Sequence, residues 1–228
     1  MTRVTFQGHS CFEIAHDEHR LIIDPFLSNN PVAKVGPDQI RADWILVSHG
    51  HGDHWGDTEA IARANGATVI GCFELAVYAE SKGLKAHGLH IGGGHQFPFG
   101  RVQLTVAHHG TGGGDSELTH LGTPAGFLLS LGPFTVYHSG DTGLTYDMKL
   151  LGDFHQVDLA LLPIGDNFTM GIEDAARATT FIRPKQVVPM HYNTFDLIRA
   201  DPQDFVRAVR RMSRAEPIVL DVGESLTL

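Results

Sequence analysis

The chain has 228 residues, with 17 Lys and Arg against 26 Asp and Glu, and its formal charge of −9 sets up a field that repels phosphate backbones and anionic bilayers. Nucleic-acid and membrane partners are therefore not expected. The 42% hydrophobic share and mean hydropathy of −0.06 are those of a globular protein, and no apolar run reaches the ~18 residues of a membrane span. The opening MTRVTFQGHSCFEI lacks the apolar core of a secretory signal, and two cysteines, Cys11 and Cys72, are too few for a disulfide framework. A cytoplasmic protein with buried thiols is expected.

Taken along the chain, short runs rich in Val, Ile, Leu, Phe and Thr at 2–7, 11–15, 20–24 and 44–48 predict strands, each bounded by Gly, Pro, Asp or Asn. A helix is predicted from 58 to 65, with Asp57 as N-cap and Gly66 as the stop. A strand at 67–71 and a helix at 73–81 follow. Further strands are predicted at 101–107, 125–131, 133–139 and 157–163. A helix over 172–182 must end before Pro184, and a strand at 186–190 comes next. The last helix, 202–212, has Asp201 to cap it, Pro202 at its first position and arginines at its end, before a strand at 216–220. No low-complexity linker or charge block divides the chain, so residues 1–228 are read as one domain.

Segment 42–50 echoes segment 157–165 in its apolar pattern, its Asp and its closing Gly. Each follows a run that ends in an acidic turn, 21–24 in one case and 134–141 in the other. Such an echo predicts two strand-rich halves packed face to face, with helices outside and loops from both halves meeting at one edge.

Fifteen histidines are many for this length, and Ser48-His49-Gly50-His51-Gly52-Asp53-His54 concentrates three of them directly after a predicted strand. In an extended segment residues two apart point the same way, so His49 and His51 can grip one ion while Asp53 and His54, on the turn, face a second. Imidazole nitrogen with carboxylate oxygen suits Zn, Mn or Fe better than Ca or Mg. Two sites need more donors than this segment holds. Other strand ends supply them: Val106 to Gly110 with His108 and His109, His138 to Thr142 with Asp141, and Val188 to Asn193 with His191.

HGHGDH, the His-Gly after a middle strand, the Gly-Asp-Thr turn and the late Pro-Met-His together resemble the metallo-β-lactamase superfamily along nearly the whole chain. GHSC near the start, DPF at 24–26, PIGDNFTMG at 163–171 and PMHYNTF at 189–195 look like its metal-dependent hydrolase branch related to L-ascorbate-6-phosphate lactonase. The resemblance implies an α/β fold, a four-layer αββα sandwich, with a dinuclear metal site at one sheet edge. It makes His49, His51 and His109 the ligands of one metal and Asp53, His54 and His191 those of the other, with Asp141 bridging. His109 is preferred to His108 because the family's histidine directly precedes a Gly or similar turn, and strand alternation would point His108 the other way. Asp24 resembles an acidic residue that supports a ligand imidazole. His9 is placed beside the site, and Asp166, Asn167 and Thr169 are candidates to orient substrate. Histidines 16, 19, 87, 90, 120 and 155 are read as surface or structural residues.

Two divalent ions, Zn or Mn with Fe as a further candidate, would hold a metal-bound hydroxide that Asp53 and Asp141 orient, which predicts hydrolysis of a small ester, lactone or phosphoester-type substrate. The phosphodiesterase reading is weaker, because the RNA-processing members add substrate arms or a domain. A non-catalytic metal-binding or ligand-sensing module is the reading from a different class. The expected partner is a small molecule, with an anionic one among the candidates, and a homo-oligomer is compatible with the sequence. Loops 26–40, 110–123 and 192–200 are expected to wall the pocket.

Overall fold

The computed structural model describes residues 1–113 and 119–228. In chain order it contains β1 (Thr2–Gly8), β2 (Cys11–His16), β3 (His19–Ile23), β4 (Trp44–Leu46), α1 (Gly52–Trp55), α2 (Thr58–Asn65), β5 (Thr68–Cys72), α3 (Phe73–Ser81), β6 (Lys85–Leu89), β7 (Gly94–Phe97) and β8 (Gly100–Val106). Then come β9 (Ala125–Leu131), β10 (Phe134–His138), α4 (Asp147–Phe154), β11 (Leu159–Pro163), α5 (Ile172–Ile182), β12 (Gln186–Met190), α6 (Pro202–Met212), β13 (Glu216–Pro217) and β14 (Ser225–Thr227).

The strands form two seven-stranded sheets, ordered β14-β1-β2-β3-β4-β5-β6 and β13-β12-β11-β10-β9-β8-β7. Both sheets follow one plan. Three antiparallel pairings run from β14 to β3 and from β7 to β10, and three parallel pairings run from β3 to β6 and from β10 to β13. The echoed segments of the sequence fall at matching places in this plan, on β4 and β11, and their acidic turns follow β3 and β10.

Strand alternation decides which layer each side chain enters. Phe127, Leu129, Leu159 and Leu161 join Phe12, Ile14, Ile22 and Ile45 in the core shared by the two sheets. Leu128, Ala160 and Leu162, one residue out of phase, instead pack under the helices with Met148, Ala175, Ala178 and Phe205. The second sheet is thus buried on both faces, which is why its strands read as continuous apolar runs. α2 and α3 cover the first sheet through Ile61, Leu75 and Ala79. Helices therefore lie outside two facing sheets, the layered α/β arrangement the sequence implies.

Local chemistry matches most of the expected helix ends. Asp201 accepts the Gln203 N–H at 2.9 Å, and Arg210 and Arg211 sit in the last turn of α6. Gly66 takes the left-handed conformation that ends α2. Asp57 differs: it precedes α2, but its side chain makes no cap. Its carboxylate accepts Leu27 N–H at 2.9 Å, Ser28 N–H at 2.8 Å and the Ser28 hydroxyl at 2.5 Å, which ties the loop after β3 to the start of the helix. The strand expected at 216–220 shortens to Glu216–Pro217, and β6, β7, β14, α1 and α4 were not predicted. Cys11 and Cys72 are buried and unpaired. Among the described residues no helix is long and apolar enough to cross a membrane.

Candidate metal centre

Every donor singled out in the sequence sits just past a strand on one edge of the two sheets. His49, His51, Asp53 and His54 follow β4 and run into α1; His109 follows β8, Asp141 follows β10 and His191 follows β12. His9 occupies the turn between β1 and β2, and Asp24 caps β3.

Three sets of donor atoms lie within 4.8 Å of one another: His49, His51 and His109; His9, Asp53, His54 and His191; and His49, His54 and Asp141. In the first set, His49 Nε2 is 2.9 Å from His51 Nδ1, and the His109 ring stands 4.9 Å from His49 and 5.2 Å from His51, centroid to centroid. In the second, His9 Nε2 approaches Asp53 Oδ2 at 3.2 Å, and its ring lies 4.0 Å from that of His191. Asp141 stands between the sets. Its Oδ2 is 2.9 Å from His191 Nε2, 3.3 Å from His54 Nε2 and 3.7 Å from His109 Nε2.

These residues fit a cation. His54 Nε2, Asp141 Oδ1 and His191 Nδ1 are buried with no hydrogen-bond partner, a cost that a native chain rarely carries without a ligand to meet it. The all-nitrogen and carboxylate donor set suits Zn, Mn or Fe. One side remains open: a cavity of about 180 Å³ is lined by His51, Asp53, His109, Asp141, Phe168 and His191.

The electrostatics of the side chains differ between the donors. Burial pushes the His49 and His109 imidazoles below their ordinary range and favours the neutral, metal-binding form. Burial pushes His9 down to about 4, against the pull of its hydrogen bond with Asp53. Asp141 is buried, which opposes its charge, yet His54 and His191 hold it well below the usual carboxylate range. Burial likewise opposes charge on His54, but Asp141, Asp24 and Asp53 outweigh it and raise that imidazole.

Asp24 organises the middle of the site. Fully buried, it accepts the Ser48 N–H and the Ser48 hydroxyl at 2.7 Å each and meets His54 Nδ1 at 2.8 Å, so Nε2 of that ring faces Asp141. The Ser48 hydroxyl also lies 3.0 Å from His49 Nδ1. Asp24, His9 and His191 have φ of 46°, 56° and 54°, a left-handed conformation unusual away from Gly, and His191 N–H donates to the His9 carbonyl at 2.8 Å. Gly140 is required where it stands: φ is +61°, and a Cβ would lie 2.5 Å from the Ala125 carbonyl, just before Asp141.

The structure thus brings together His49, His51, Asp53, His54, His109, Asp141, His191, Asp24 and His9. His108 is exposed, held through its N–H to the Thr142 hydroxyl at 2.9 Å. Asp166 lines a separate cavity beside α5, and neither it nor Asn167 lines the one at the donors. His138 is structural: Nε2 meets the Ser10 carbonyl at 3.0 Å and Nδ1 accepts Gly140 N–H. Of the expected wall 110–123, residues 114–118 lie outside the described residues. Sequence reasoning missed Ser48, Thr194, whose hydroxyl is 2.9 Å from His9 Nδ1, and Phe168. Ser48 could have been found as the residue between a strand and its first ligand; the other two carry no local signal.

Comparison with known proteins agrees with this geometry. A family profile described as the Beta-lactamase superfamily domain matches residues 3–191, a span that ends on the last donor, His191. A UPF0173 metal-dependent hydrolase of Heliobacterium modesticaldum is 52% identical over 234 residues, covering 100% of this chain and 98% of its own. The chain belongs to the UPF0173 metal-dependent hydrolases of the beta-lactamase superfamily. YtkL of Bacillus subtilis, of the same UPF0173 group, is 49% identical over 229 residues, 99% of this chain and 100% of that one. The solved structure of Igni18, a metallo hydrolase from Ignicoccus hospitalis, superposes with a TM-score of 0.91 at 36% identity, covering 99% and 97% of the two chains. As a UPF0173 member the chain is a metal-dependent hydrolase with the metallo-β-lactamase fold, and its His and Asp groups are placed to hold metal.

Proposed function

We propose that the chain hydrolyses a small ester, lactone or phosphoester-type substrate with a pair of divalent cations, Zn or Mn with Fe as a further candidate. His49, His51 and His109 would hold one, Asp53, His54 and His191 the other, with Asp141 shared. The observation that carries this reading is the position of Asp141 Oδ2, within 3.7 Å of nitrogens from both donor sets and beside an open cavity. When bound, such a pair lowers the pKa of water towards neutrality and polarises the oxygen under attack.

The protein's own residues set the geometry for that chemistry. Asp53, with its side chain 27% exposed, can accept a hydrogen bond from an attacking water and orient it in the cavity. Asp141 keeps its charge by contact with His54 and His191 and can do the same from the buried side. His9 and Thr194 hold Asp53 in place through the chain Thr194 Oγ1, His9 and Asp53 Oδ2. The net negative protein does not bar an anion at the centre itself, because a bound cation is the largest local charge. A small-molecule substrate, no nucleic acid, a cytoplasmic location and room for a homo-oligomer complete the reading.

The test is metal analysis with turnover of 4-nitrophenyl esters and bis(4-nitrophenyl) phosphate in Zn or Mn. Two metals and turnover abolished by His51→Ala support the proposal. Two metals with no turnover across a broad panel favour a metal-binding or ligand-sensing module, and turnover confined to the phosphate diester favours a phosphodiesterase.

A further inference from the structure

Five of the six residues that line the cavity at the donors are His51, Asp53, His109, Asp141 and His191, each already committed to the proposed cations. The sixth is Phe168. Its side chain is 50% exposed, and it is presented by a turn whose two preceding residues, Asp166 and Asn167, have φ of 58° and 42°. Left-handed backbone at consecutive non-glycine residues is costly and persists where the surroundings enforce it. Here they do: Phe168 and Thr169 N–H both donate to the Asp166 carbonyl, Asp166 N–H donates to Met170 O at 3.0 Å, and Met170 N–H donates to Thr142 O at 2.9 Å. That last bond ties the turn to the residue after Asp141, so the backbone that presents the phenyl ring is held relative to the donors rather than carried on a free loop.

The charge around this wall is one-sided. The sequence has no Lys or Arg between Arg101 and Lys149 or between Lys149 and Arg177, spans that include the segments after β8, β10 and β11 at the site. Arg199, from the segment after β12, is engaged by Asp196 at 2.6 Å. Among the described residues, the lining of the cavity holds no Lys or Arg. A phosphate or carboxylate carried away from the scissile group would meet a phenyl ring and two aspartates, an unfavourable desolvation with no cationic side chain to offset it.

We propose that Phe168 determines specificity, and that the substrate is a neutral ester or lactone with an apolar substituent next to the scissile carbonyl. This rests on the hydrolase reading above and selects within it, against a phosphorylated metabolite. Phe168 packs on the substituent while the carbonyl is presented to the donors.

The experiment uses the full-length Zn-loaded protein and two metal-seeking probes that differ in their apolar part, benzohydroxamic and acetohydroxamic acid, measured by calorimetry. The phenyl probe is expected to bind about tenfold more tightly. Phe168→Ala removes that difference and Phe168→Leu keeps most of it, with metal content and Tm unchanged in both. In parallel, kcat/KM is compared for a neutral phenylacetate-type ester and its phosphorylated counterpart, with the neutral one expected to be at least tenfold better. Equal affinity for the two probes, a preference that survives Phe168→Ala, or faster turnover of the phosphorylated ester overturns the proposal and leaves the hydrolase reading standing. A Phe168-dependent probe preference without turnover of either ester overturns the ester or lactone assignment, here and in the reading it rests on, while supporting Phe168 as the selecting wall.

Discussion

Replacing Asp24 separates the scaffold of the site from its ligands, because this carboxylate is fully buried and contacts no part of the open cavity. Asp24→Ala removes the acceptor for Ser48 N–H and Ser48 Oγ at 2.7 Å each and the partner of His54 Nδ1 at 2.8 Å. The Ser48 hydroxyl can turn to His49 Nδ1, 3.0 Å away, which leaves two buried donors without partners. At ~1–3 kcal/mol for each orphaned group, less the desolvation no longer required for a buried carboxylate, a loss of about 3 kcal/mol is expected. Asp24→Asn keeps the shape and one acceptor, and so costs less stability. Its amide, however, turns a donor towards His54 Nδ1 and drives the ring proton onto Nε2, the atom that faces Asp141. Metal affinity should fall about 10- to 100-fold in both variants. Urea unfolding in excess EDTA measures the first effect, and competition against a chromogenic chelator measures the second. Unfolding of Asp24→Ala within about 0.5 kcal/mol of wild type in EDTA, with unchanged metal affinity, would refute the reasoning.

Other perturbations test separate parts of the account. Phe127→Ala empties the core between the sheets, where the ring is fully buried, and should cost about 3–5 kcal/mol in urea unfolding while the metal stoichiometry is retained. Gly140→Ala places a Cβ 2.5 Å from the Ala125 carbonyl at φ +61°, so it should lose at least about 2 kcal/mol and weaken metal binding by displacing Asp141, as the same two assays would report. Chelation by EDTA from a state with free metal at about 100 times Kd removes about 2.7 kcal/mol per site, about 5 kcal/mol for two cations, a drop in Tm of roughly 10–20 °C by calorimetry. Asp153 is held below its ordinary value of 3.8 by Lys149 and Arg183, which links α4 to α5. Because its folded pKa is the lower one, its contribution is present above about pH 4 and is lost as pH falls through the folded value; Asp153→Asn should remove that part of the acid limb in a pH series of unfolding measurements.

Much of this architecture can be read from the chain because local pattern and burial agree. The runs that became β1 to β5 and β8 to β12 are either alternating or continuously apolar, and the caps of α6 follow its residues directly. What escaped depends on tertiary contact. In α4, Gly152 reads as a helix breaker, yet a Cβ there would lie 2.2 Å from the Phe181 carbonyl, so the glycine is what lets α4 lie against α5. β6 hides behind Gly88, whose missing side chain makes room for Phe73 on α3, and its residues are half exposed at the sheet edge. β14 is three residues long and exists through pairing with β1, more than two hundred positions earlier in the chain. The donors were legible because chemistry, rather than packing, selects His and Asp at strand ends. Phe168 was not, since a phenylalanine in a loop acquires meaning only when the turn before it and the cavity beyond it are seen together.

The proposed site has one carboxylate, Asp141, shared between two cations. Anomalous diffraction at the Zn edge from crystals of the Zn-loaded protein tests it directly. Two peaks are expected, one within bonding distance of His49, His51 and His109 and the other of Asp53, His54 and His191, with Asp141 reaching both. A single peak, or two peaks of which Asp141 touches neither, would contradict it.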